Sequence, residues 1–329
     1  MRLLTILLLP LALTGAEPLR LVASIPDLGD LAAQVGGSAV TVQTLARGDE
    51  DPHTVEPRPA FITVLAKAEV LLEVGLDYDT HWLDESLAQA PRPDLIRLKA
   101  HEAVVLIKPP KEGHDHDHDH GHGPAHNHAA GNPHFLCDPV AGAQVCLALG
   151  SALGGLRPAD AAGLKDRAEA AALTIAERLV GAPACKRLGR EATLAALAQS
   201  DPTPLIGNDL GGWLGRLRRL RGAPVIADHD GWPYLARRFD LALVAFLEPA
   251  PGVPSSTAHL TKVVAETRSA GIKGLILSPW SDARQAGIVA QALGVPSLTL
   301  APQVGSVAGT STYLNTIEAN VTALERLAP

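Results

Sequence analysis

Cysteine is scarce in this chain, with only three among 329 residues. Cys137, Cys146 and Cys185 are too few for a disulfide framework in a chain of this length, and their odd number leaves at least one thiol unpaired. Their spacing also lacks the CxxC pattern of a zinc site. We therefore interpret all three as small buried apolar side chains.

An excess of positive charge is also missing. The chain has 28 Lys and Arg against 35 Asp and Glu, a formal net charge of −7. This balance excludes the broad basic surfaces typical of nucleic-acid-binding proteins. The short cluster of Arg216, Arg218, Arg219 and Arg221 is interpreted as a solvated face. At 329 residues, 47% of them hydrophobic, the chain is long enough for two globular domains.

Long apolar runs are absent after the N-terminus. The first residues, MRLLTILLLPLALTGA, combine one Arg, an apolar run and an end of small residues, which is typical of a secretory signal peptide cleaved after Ala16. The run is shorter than the ~20 residues that span a bilayer, and no Cys follows the cleavage site to carry a lipid. We expect a signal peptide over 1–16, a periplasmic or otherwise extracytoplasmic location, and no membrane span in the mature chain.

Strand and helix patterns alternate along the rest of the chain. Strands are predicted at 19–24, 40–44, 69–74, 94–98, 224–227, 241–246, 274–277 and 297–300. Helical spacing separates most of them, so the two halves repeat one order of elements. This predicts an α/β fold of two lobes, each with a parallel-type sheet covered by helices.

A helical region separates the two halves. The Ala-rich and Leu-rich segment 158–180 contains no proline after its first residue, which predicts one long rigid helix between the lobes. A further helix is predicted at 188–199. We place the N-terminal lobe at 17–157, the linking helical region at 158–200 and the C-terminal lobe at 201–329.

Histidine is concentrated in one stretch, because 8 of the 13 lie between 112 and 139. Neutral imidazole binds borderline first-row cations, and His-rich tracts are typical of metal binding. The stretch has almost no apolar side chain, so we predict a mobile loop at about 112–131. Its auxiliary metal-binding residues are His114, His116, His118, His120, His122, His126 and His128. A solvated spacer with incidental metal affinity is the alternative.

Three other histidines lie at the ends of predicted elements. His53 comes after strand 40–44, His134 precedes a helix that is predicted to start at Pro139, and His229 comes directly after strand 224–227. Ligands of open α/β sheets bind outside the carboxyl ends of strands, so we expect these residues in the cleft between the lobes. For each one alone, a hydrogen-bonded helix cap is the alternative.

Four segments resemble, in order, the motifs of the periplasmic metal-binding receptors of bacterial zinc and manganese ABC importers. They are 22–37, DPHTVEPRP at 51–59, NPHFLCDP at 132–139 and HDGWPYLARRF at 229–239. The resemblance covers nearly all of the mature chain. It implies two α/β lobes joined by a rigid helix, a metal held between them, and delivery to an ABC permease in the inner membrane. It also implies His53, His134 and His229 as ligands, with a His-rich loop typical of zinc-type members.

One position departs from the family pattern. Many relatives carry an Asp ligand in a Leu-Asp-Pro segment, whereas this chain has Ala301 between Leu300 and Pro302. The fourth position is then left to water, to Glu50 or to a histidine of the tract. Three imidazoles and one exchangeable oxygen suit tetrahedral Zn²⁺, whereas Mn²⁺ prefers carboxylates. We therefore expect Zn²⁺, with Mn²⁺ or other divalent transition metals at lower preference.

The predicted function is capture and delivery of zinc by a monomer, without catalysis. A zinc-dependent hydrolase with three histidines and a water is one alternative, although the chain lacks an HExxH motif and an evident general base. A periplasmic zinc buffer or chaperone that acts without a permease is the other. Affinity for zinc is expected to fall at roughly pH 6, as the imidazoles become protonated.

Overall fold

The computed structural model of the chain describes residues 17–108, 131–199, 211–249 and 253–328. The predicted signal peptide lies outside the described residues. So does most of the predicted His-rich loop, including all seven of its auxiliary histidines from His114 to His128.

The strands form two separate parallel sheets. They are β1 Leu19–Ala23, β2 Val40–Thr44, β3 Val70–Glu73, β4 Ile96–Lys99, β5 Ala223–Ala227, β6 Leu241–Phe246, β7 Gly274–Leu277 and β8 Ser297–Thr299. The strand orders are β2-β1-β3-β4 and β6-β5-β7-β8, and every pairing is parallel. The predicted α/β fold with two parallel sheets is confirmed. We call the parts built on the two sheets the first and second lobes.

Helices cover both sheets. They are α1 Pro26–Gly36, α2 Pro59–Leu65, α3 Thr80–Gln89, α4 Pro139–Leu156, α5 Ala161–Val180, α6 Ala182–Leu188, α7 Arg190–Leu197, α8 Gly212–Arg216, α9 Pro233–Phe239, α10 Thr257–Thr267, α11 Ala283–Leu293 and α12 Tyr313–Leu324. α4 begins where the sequence predicts, because Asp138 caps it by accepting a hydrogen bond from the Val140 N–H at 2.9 Å.

The predicted long helix is α5, which lies between the lobes. It has 20 residues, roughly 30 Å at 1.5 Å per residue, and it packs against α1 and α4 and against α8, which leads into the second sheet. Its predicted first turn, Pro158–Asp160, is 3-10 rather than α-helical. The helix predicted at 188–199 is shorter, because Gly189 has a φ of 86° and separates α6 from α7. The lobe boundaries at 157 and 200 stay predictions.

The buried core extends across both lobes. One cluster of buried apolar residues contains members of both sheets, and a smaller one lies around β7, α10 and α11. The few aromatic side chains are central to it, since Trp82, Trp213, Trp232, Tyr234 and Tyr313 are fully buried. All three cysteines are buried free thiols, as predicted.

Helix α4 corrects one expectation from the sequence. From the sequence we expect no segment of the mature chain to be long and apolar enough to cross a membrane. The 18 residues of α4 have a mean hydropathy of 1.4 and meet that test of length and composition. It is the single helix of the described residues that does so. It packs along α5, and 61% of it is buried. A core helix and a membrane span share this composition, because both lack contact with water.

Polar bonds tie α9 of the second lobe to the segment of the first lobe that contains His134. Arg238 Nε and Nη2 donate to the Asp138 carboxylate at 2.7 and 2.8 Å, and both residues are buried. The Tyr234 hydroxyl accepts from the Ile107 N–H at 2.8 Å and donates to the Asn132 carbonyl at 2.9 Å. Buried, charge-assisted bonds of this kind are strong and directional, so they set one relative position of the two lobes.

Arg238→Met tests this connection. The substitution leaves the Asp138 carboxylate buried without its two-bond partner, so we expect the free energy of unfolding to fall by about 3 kcal/mol, measured by urea denaturation of the metal-free protein. The control is Lys262→Met in the exposed Lys262–Glu266 pair, 3.9 Å apart, where we expect a change within about 0.5 kcal/mol. Equal losses in the two variants would contradict the prediction.

Candidate metal site

The three predicted histidines lie on loops at the ends of regular elements. His53 is in the loop between β2 and α2, His134 precedes a 3-10 turn at Phe135–Cys137 that leads into α4, and His229 follows β5. The side chains are nearly enclosed, with exposed fractions of 9, 6 and 8%. β5 and β7 are neighbours in their sheet at the point where the strand order reverses, which is the usual position of a ligand site in such folds.

The fold brings the three rings together. One ring nitrogen from each of His53, His134 and His229 lies within 4.8 Å of the others. Nε2 of His53 is 3.0 Å from Nε2 of His134, and the ring of His229 is centred 6.3 and 5.6 Å from the other two. Residues from both lobes therefore form one cluster of imidazole nitrogens.

Asn132 sets the orientation of the His134 ring. Its Oδ1 lies 3.0 Å from the His134 backbone N and 3.1 Å from ring Nδ1. A side-chain carbonyl only accepts, so in the neutral ring the proton is on Nδ1 and the lone pair is on Nε2. Asn132 Nδ2 in turn donates to the backbone carbonyl of Asp230 at 2.8 Å. One amide thus connects the His134 ring to the loop that contains His229.

Asp228 has the same role for His229. Its Oδ1 lies 3.3 Å from His229 Nδ1 and accepts from the Trp232 indole N–H at 2.8 Å. Its Oδ2 accepts from the backbone N–H and the hydroxyl of Ser278 at 2.7 and 2.6 Å. Burial by itself would raise the pKa of Asp228, but the hydrogen bonds from His229, Ser278 and Ser281 hold it far below its ordinary value. A carboxylate that orients a histidine in this way is typical of metal sites.

Tyr78 closes one side of the cluster. Its ring meets the rings of His53 and His134 edge to face, with centroids 4.8 and 5.2 Å apart. Burial raises the pKa of Tyr78 well above its ordinary value, so the phenol stays protonated. The turn before it is strained, because Leu76 and Asp77 have φ values of 60° and 61°. The Asp79 carboxylate holds this turn by accepting from the Val74 and Gly75 N–H groups at 2.6 and 2.9 Å.

A cavity of about 370 Å³ lies on the other side. His53 and His229 form part of its wall, whereas His134 faces a packed space of only about 10 Å³ beside Tyr78 and Cys137. Among the described residues that line the larger cavity there are three acidic side chains, Asp51, Glu248 and Asp282, and no Lys or Arg. Access to the imidazoles is therefore from this side, through a space that favours cations.

The donor set fits a tetrahedral metal. With Zn–N bonds of about 2.0–2.1 Å, nitrogens in one tetrahedral shell are about 3.3 Å apart, so the observed limit of 4.8 Å requires only a small shift of the rings. Gly231 leaves room at the site, because a Cβ there would be 2.7 Å from His229 Nε2. Three neutral imidazoles, one open side and a nearby cavity match three protein ligands and one exchangeable ligand.

Among the described residues, Glu50 is the protein candidate for the fourth position, and it is not in this cluster. Glu50 forms an ion pair with Arg58 and a second one with Arg47 at 3.3 Å, so its carboxylate is already neutralised by two cations. Ala301 provides only a methyl group, and its backbone is held by Asn320. The auxiliary histidines lie outside the described residues.

Sequence reasoning did not identify several residues of the site. Asp228 has a detectable signal, since it is a carboxylate directly before a predicted ligand at a strand end. Asn132 belongs to the NPH motif, in which the sequence indicates a role only for the histidine. Tyr78 and Glu248 have no local signal at all, because only the packing of distant segments brings them to the histidines.

Several solved structures share this fold. A crystal structure of ZnuA has 18% identity with this chain and a TM-score of 0.66, covering 94% of this chain and 98% of that one. FpvC from Pseudomonas aeruginosa, in complex with Ni²⁺, has 19% identity and a TM-score of 0.70, covering 94 and 97%. The laminin-binding adhesin Lmb from Streptococcus agalactiae has 16% identity and a TM-score of 0.68, covering 94 and 99%. At these identities the likeness establishes the two-lobed fold.

The sequence itself defines the family. Residues 21–178 and 213–327 match the family described as zinc-uptake complex component A, periplasmic. The chain belongs to this family of metal-binding receptors for ABC import, whose members are periplasmic solute-binding proteins rather than enzymes. The resemblance inferred from the four motifs is confirmed.

The pH titration of His229 tests the electrostatics of the site. Burial lowers the pKa of His229, but the hydrogen bond and charge of Asp228 outweigh it, and the net shift is upward from 6.5. The pair therefore stabilises the metal-free protein below the ordinary pKa, and this contribution disappears as the pH rises through the raised value. We expect NMR of the metal-free protein to show His229 titrating above 6.5.

Asp228→Asn is the control for this titration. Without the carboxylate, burial becomes the dominant effect, so the pKa of His229 should drop below that in the unsubstituted protein. A His229 that titrates identically in the two proteins would contradict the assignment of the shift to Asp228.

Proposed function

We propose that this protein captures Zn²⁺ outside the cytoplasm and delivers it to an ABC permease. The observation that carries this proposal is the convergence of His53, His134 and His229, which offer ring nitrogens within 4.8 Å of one another at the boundary of two lobes. In the proposed complex these residues are the protein ligands. Water from the adjacent cavity takes the fourth position.

The donor set favours zinc over manganese. Solved structures with this fold include ZnuA with zinc, FpvC with Mn²⁺ and a periplasmic protein of Candidatus Liberibacter asiaticus with Cd²⁺, so the fold alone does not select a metal. Imidazole suits Zn²⁺ and Ni²⁺, whereas Mn²⁺ is favoured by carboxylates. The absence of a carboxylate from the cluster of described residues supports preference for zinc over manganese.

The orientation of the rings supports capture without a large rearrangement. Asn132 and Asp228 direct the Nδ1 atoms of His134 and His229 away from the cluster, which leaves Nε2 for the metal. Binding then displaces a proton from His229, because a ligand must be neutral. The raised pKa of His229 moves the expected loss of affinity from roughly pH 6 to a higher pH.

The His-rich tract has a supporting role in this proposal. The seven histidines between 114 and 128 would collect zinc and pass it to the three-histidine site. The hydrolase alternative gains no support, since the family consists of solute-binding proteins. A buffer or chaperone without a permease differs from a receptor only in its partner, and growth experiments distinguish the two.

Competitive titration of the mature protein with Zn²⁺ and Mn²⁺ tests the metal preference. We expect Zn²⁺ to bind more tightly, because three imidazoles and a water match its preferred donors. Replacing His53, His134 and His229 together by Ala should weaken zinc binding by at least about 100-fold. Tighter binding of manganese, or unchanged zinc binding by the triple variant, would contradict the proposal.

Two further variants complete this titration. Glu50→Gln should change zinc affinity by less than about threefold, because the Glu50 carboxylate is paired with Arg58 and Arg47 and a neutral amide keeps its shape. A loss as large as that of the triple variant would make Glu50 a ligand. Deletion of 114–128 should leave the high-affinity site intact and reduce the number of weaker zinc ions bound.

Growth under zinc limitation tests delivery. If the protein is a receptor, deleting its gene, deleting the gene of its ABC permease, or deleting both should impair growth equally, because the two proteins act in one step. If deletion of the protein's gene impairs growth further in cells that already lack the permease gene, the protein acts instead as a buffer or chaperone.

A further inference from the structure

Gln303 connects the second lobe to the loop that leads to His53. Its Nε2 lies within hydrogen-bond distance of three backbone carbonyls of that loop, those of Arg47, Gly48 and Glu50, at 3.3, 3.0 and 2.7 Å. Three acceptors facing one amide nitrogen require the NH₂ group at that position rather than the amide oxygen. Gln303 is 1% exposed, and its bonds to the partly exposed loop are themselves partly buried.

The backbone next to Gln303 approaches the same loop closely. A Cβ on Gly48 would lie 2.3 Å from the Val304 carbonyl oxygen and 2.6 Å from Gly305, so no residue other than glycine fits at position 48 without a shift. The Val304 N–H donates to the buried Asp27 carboxylate of the first lobe at 3.0 Å. Residues 303–305 therefore form a connection between the lobes that is separate from the bonds of α9.

This connection starts from the segment in which many relatives place their carboxylate ligand. Here Ala301 is fixed to α12, since its N–H donates to Asn320 Oδ1 at 2.6 Å and its carbonyl accepts from Asn320 Nδ2 at 2.7 Å. The segment offers the cluster no donor side chain. Two residues further on, it extends the Gln303 amide to the His53 loop.

The path from Gln303 to His53 is short and hydrogen-bonded. Glu50, whose carbonyl makes the shortest bond to Gln303, is followed by Asp51, and the Asp51 carboxylate accepts from the His53 N–H at 3.0 Å. His134 is held separately, through Tyr234 and Arg238. The two first-lobe histidines thus have different attachments to the second lobe.

We propose that Gln303 is a positioning residue for His53 and sets the rate at which zinc leaves the site. This rests on the proposed function. In place of a carboxylate that holds the metal itself, the second lobe holds the loop of a ligand. Breaking the bonds of Gln303 lets His53 withdraw while His134 and His229 stay in place, so the metal loses one of three protein ligands.

Gln303→Met tests the proposal, because Met has a similar length and no N–H donor. Gln144→Met is a matched control, since Gln144 is also buried and its Nε2 also donates to backbone carbonyls, of Leu197 and Gln199, at 3.0 and 3.4 Å. Zn²⁺-loaded proteins are mixed with excess chelator and the release of zinc is followed. We expect release about tenfold faster in Gln303→Met and unchanged in Gln144→Met, with comparable losses of thermal stability.

A second variant keeps the test decisive if Gln303→Met does not fold. Gly48→Ala pushes the loop away from Val304 and should also accelerate release. With Co²⁺ as a probe, the visible spectrum of each site variant should change as His53 leaves the metal, and that of Gln144→Met should not. Release at the unsubstituted rate in every folded site variant would overturn the proposal. An unsubstituted protein that binds no Zn²⁺ would instead refute the proposed function.

Discussion

The structure holds three imidazole rings close enough to share one coordination sphere before a cation binds. The surrounding packing and hydrogen bonds maintain this arrangement. The rings lie in a nearly buried space, where packing and hydrogen bonds hold them in place. Asn132 and Asp228 do so for His134 and His229, by accepting from Nδ1 and leaving Nε2 toward the cluster. The site is therefore organised in the metal-free protein, which reduces the cost of ordering when a metal binds.

Two of the connections between the lobes differ in their chemistry. Arg238 and Tyr234 attach the His134 segment to the second lobe through a buried ion pair and a bridging hydroxyl. Gln303 attaches the His53 loop through neutral amide-to-carbonyl bonds. Charge-assisted bonds are roughly twice as strong as neutral ones, so the His53 loop is the easier of the two to release. The 20-residue α5 between the lobes favours movement of loops over bending of whole lobes.

The surroundings of the cluster are asymmetric. Tyr78 packs against two of the rings, and the strained turn before it is held by the buried Asp79. The opposite side adjoins a cavity of about 370 Å³ whose described lining contains three carboxylates and no Lys or Arg. A cation is attracted from that side and meets His53 and His229 first. Carboxylates in this position attract a metal without binding it tightly, because none of them belongs to the three-histidine cluster.

Most of the fold could be predicted from local patterns. The alternation of strands and helices predicted both parallel sheets, and seven of the eight strands agree with their predicted bounds to within one residue at each end, the exception being β4, which begins two residues late. Two expectations failed for local reasons. The positive φ of Gly189 separates α6 from α7, and the composition of the apolar α4 does not distinguish a core helix from a membrane span.

The residues of the site also divide into those that local patterns identify and those that only the fold brings to it. Local patterns identify the candidate histidines, because each lies at the end of an element and in a recognisable motif, and they show that position 301 has no ligating side chain. The packing of the fold brings the three histidines together, places Tyr78 against two of their rings and extends Gln303 to the loop of His53. The reason is that a motif fixes contacts within its own segment, such as those of Asn132 with His134 and of Asp228 with His229. Tyr78 and Gln303 instead lie far along the chain from the residues that they contact, and only the packed fold brings them together.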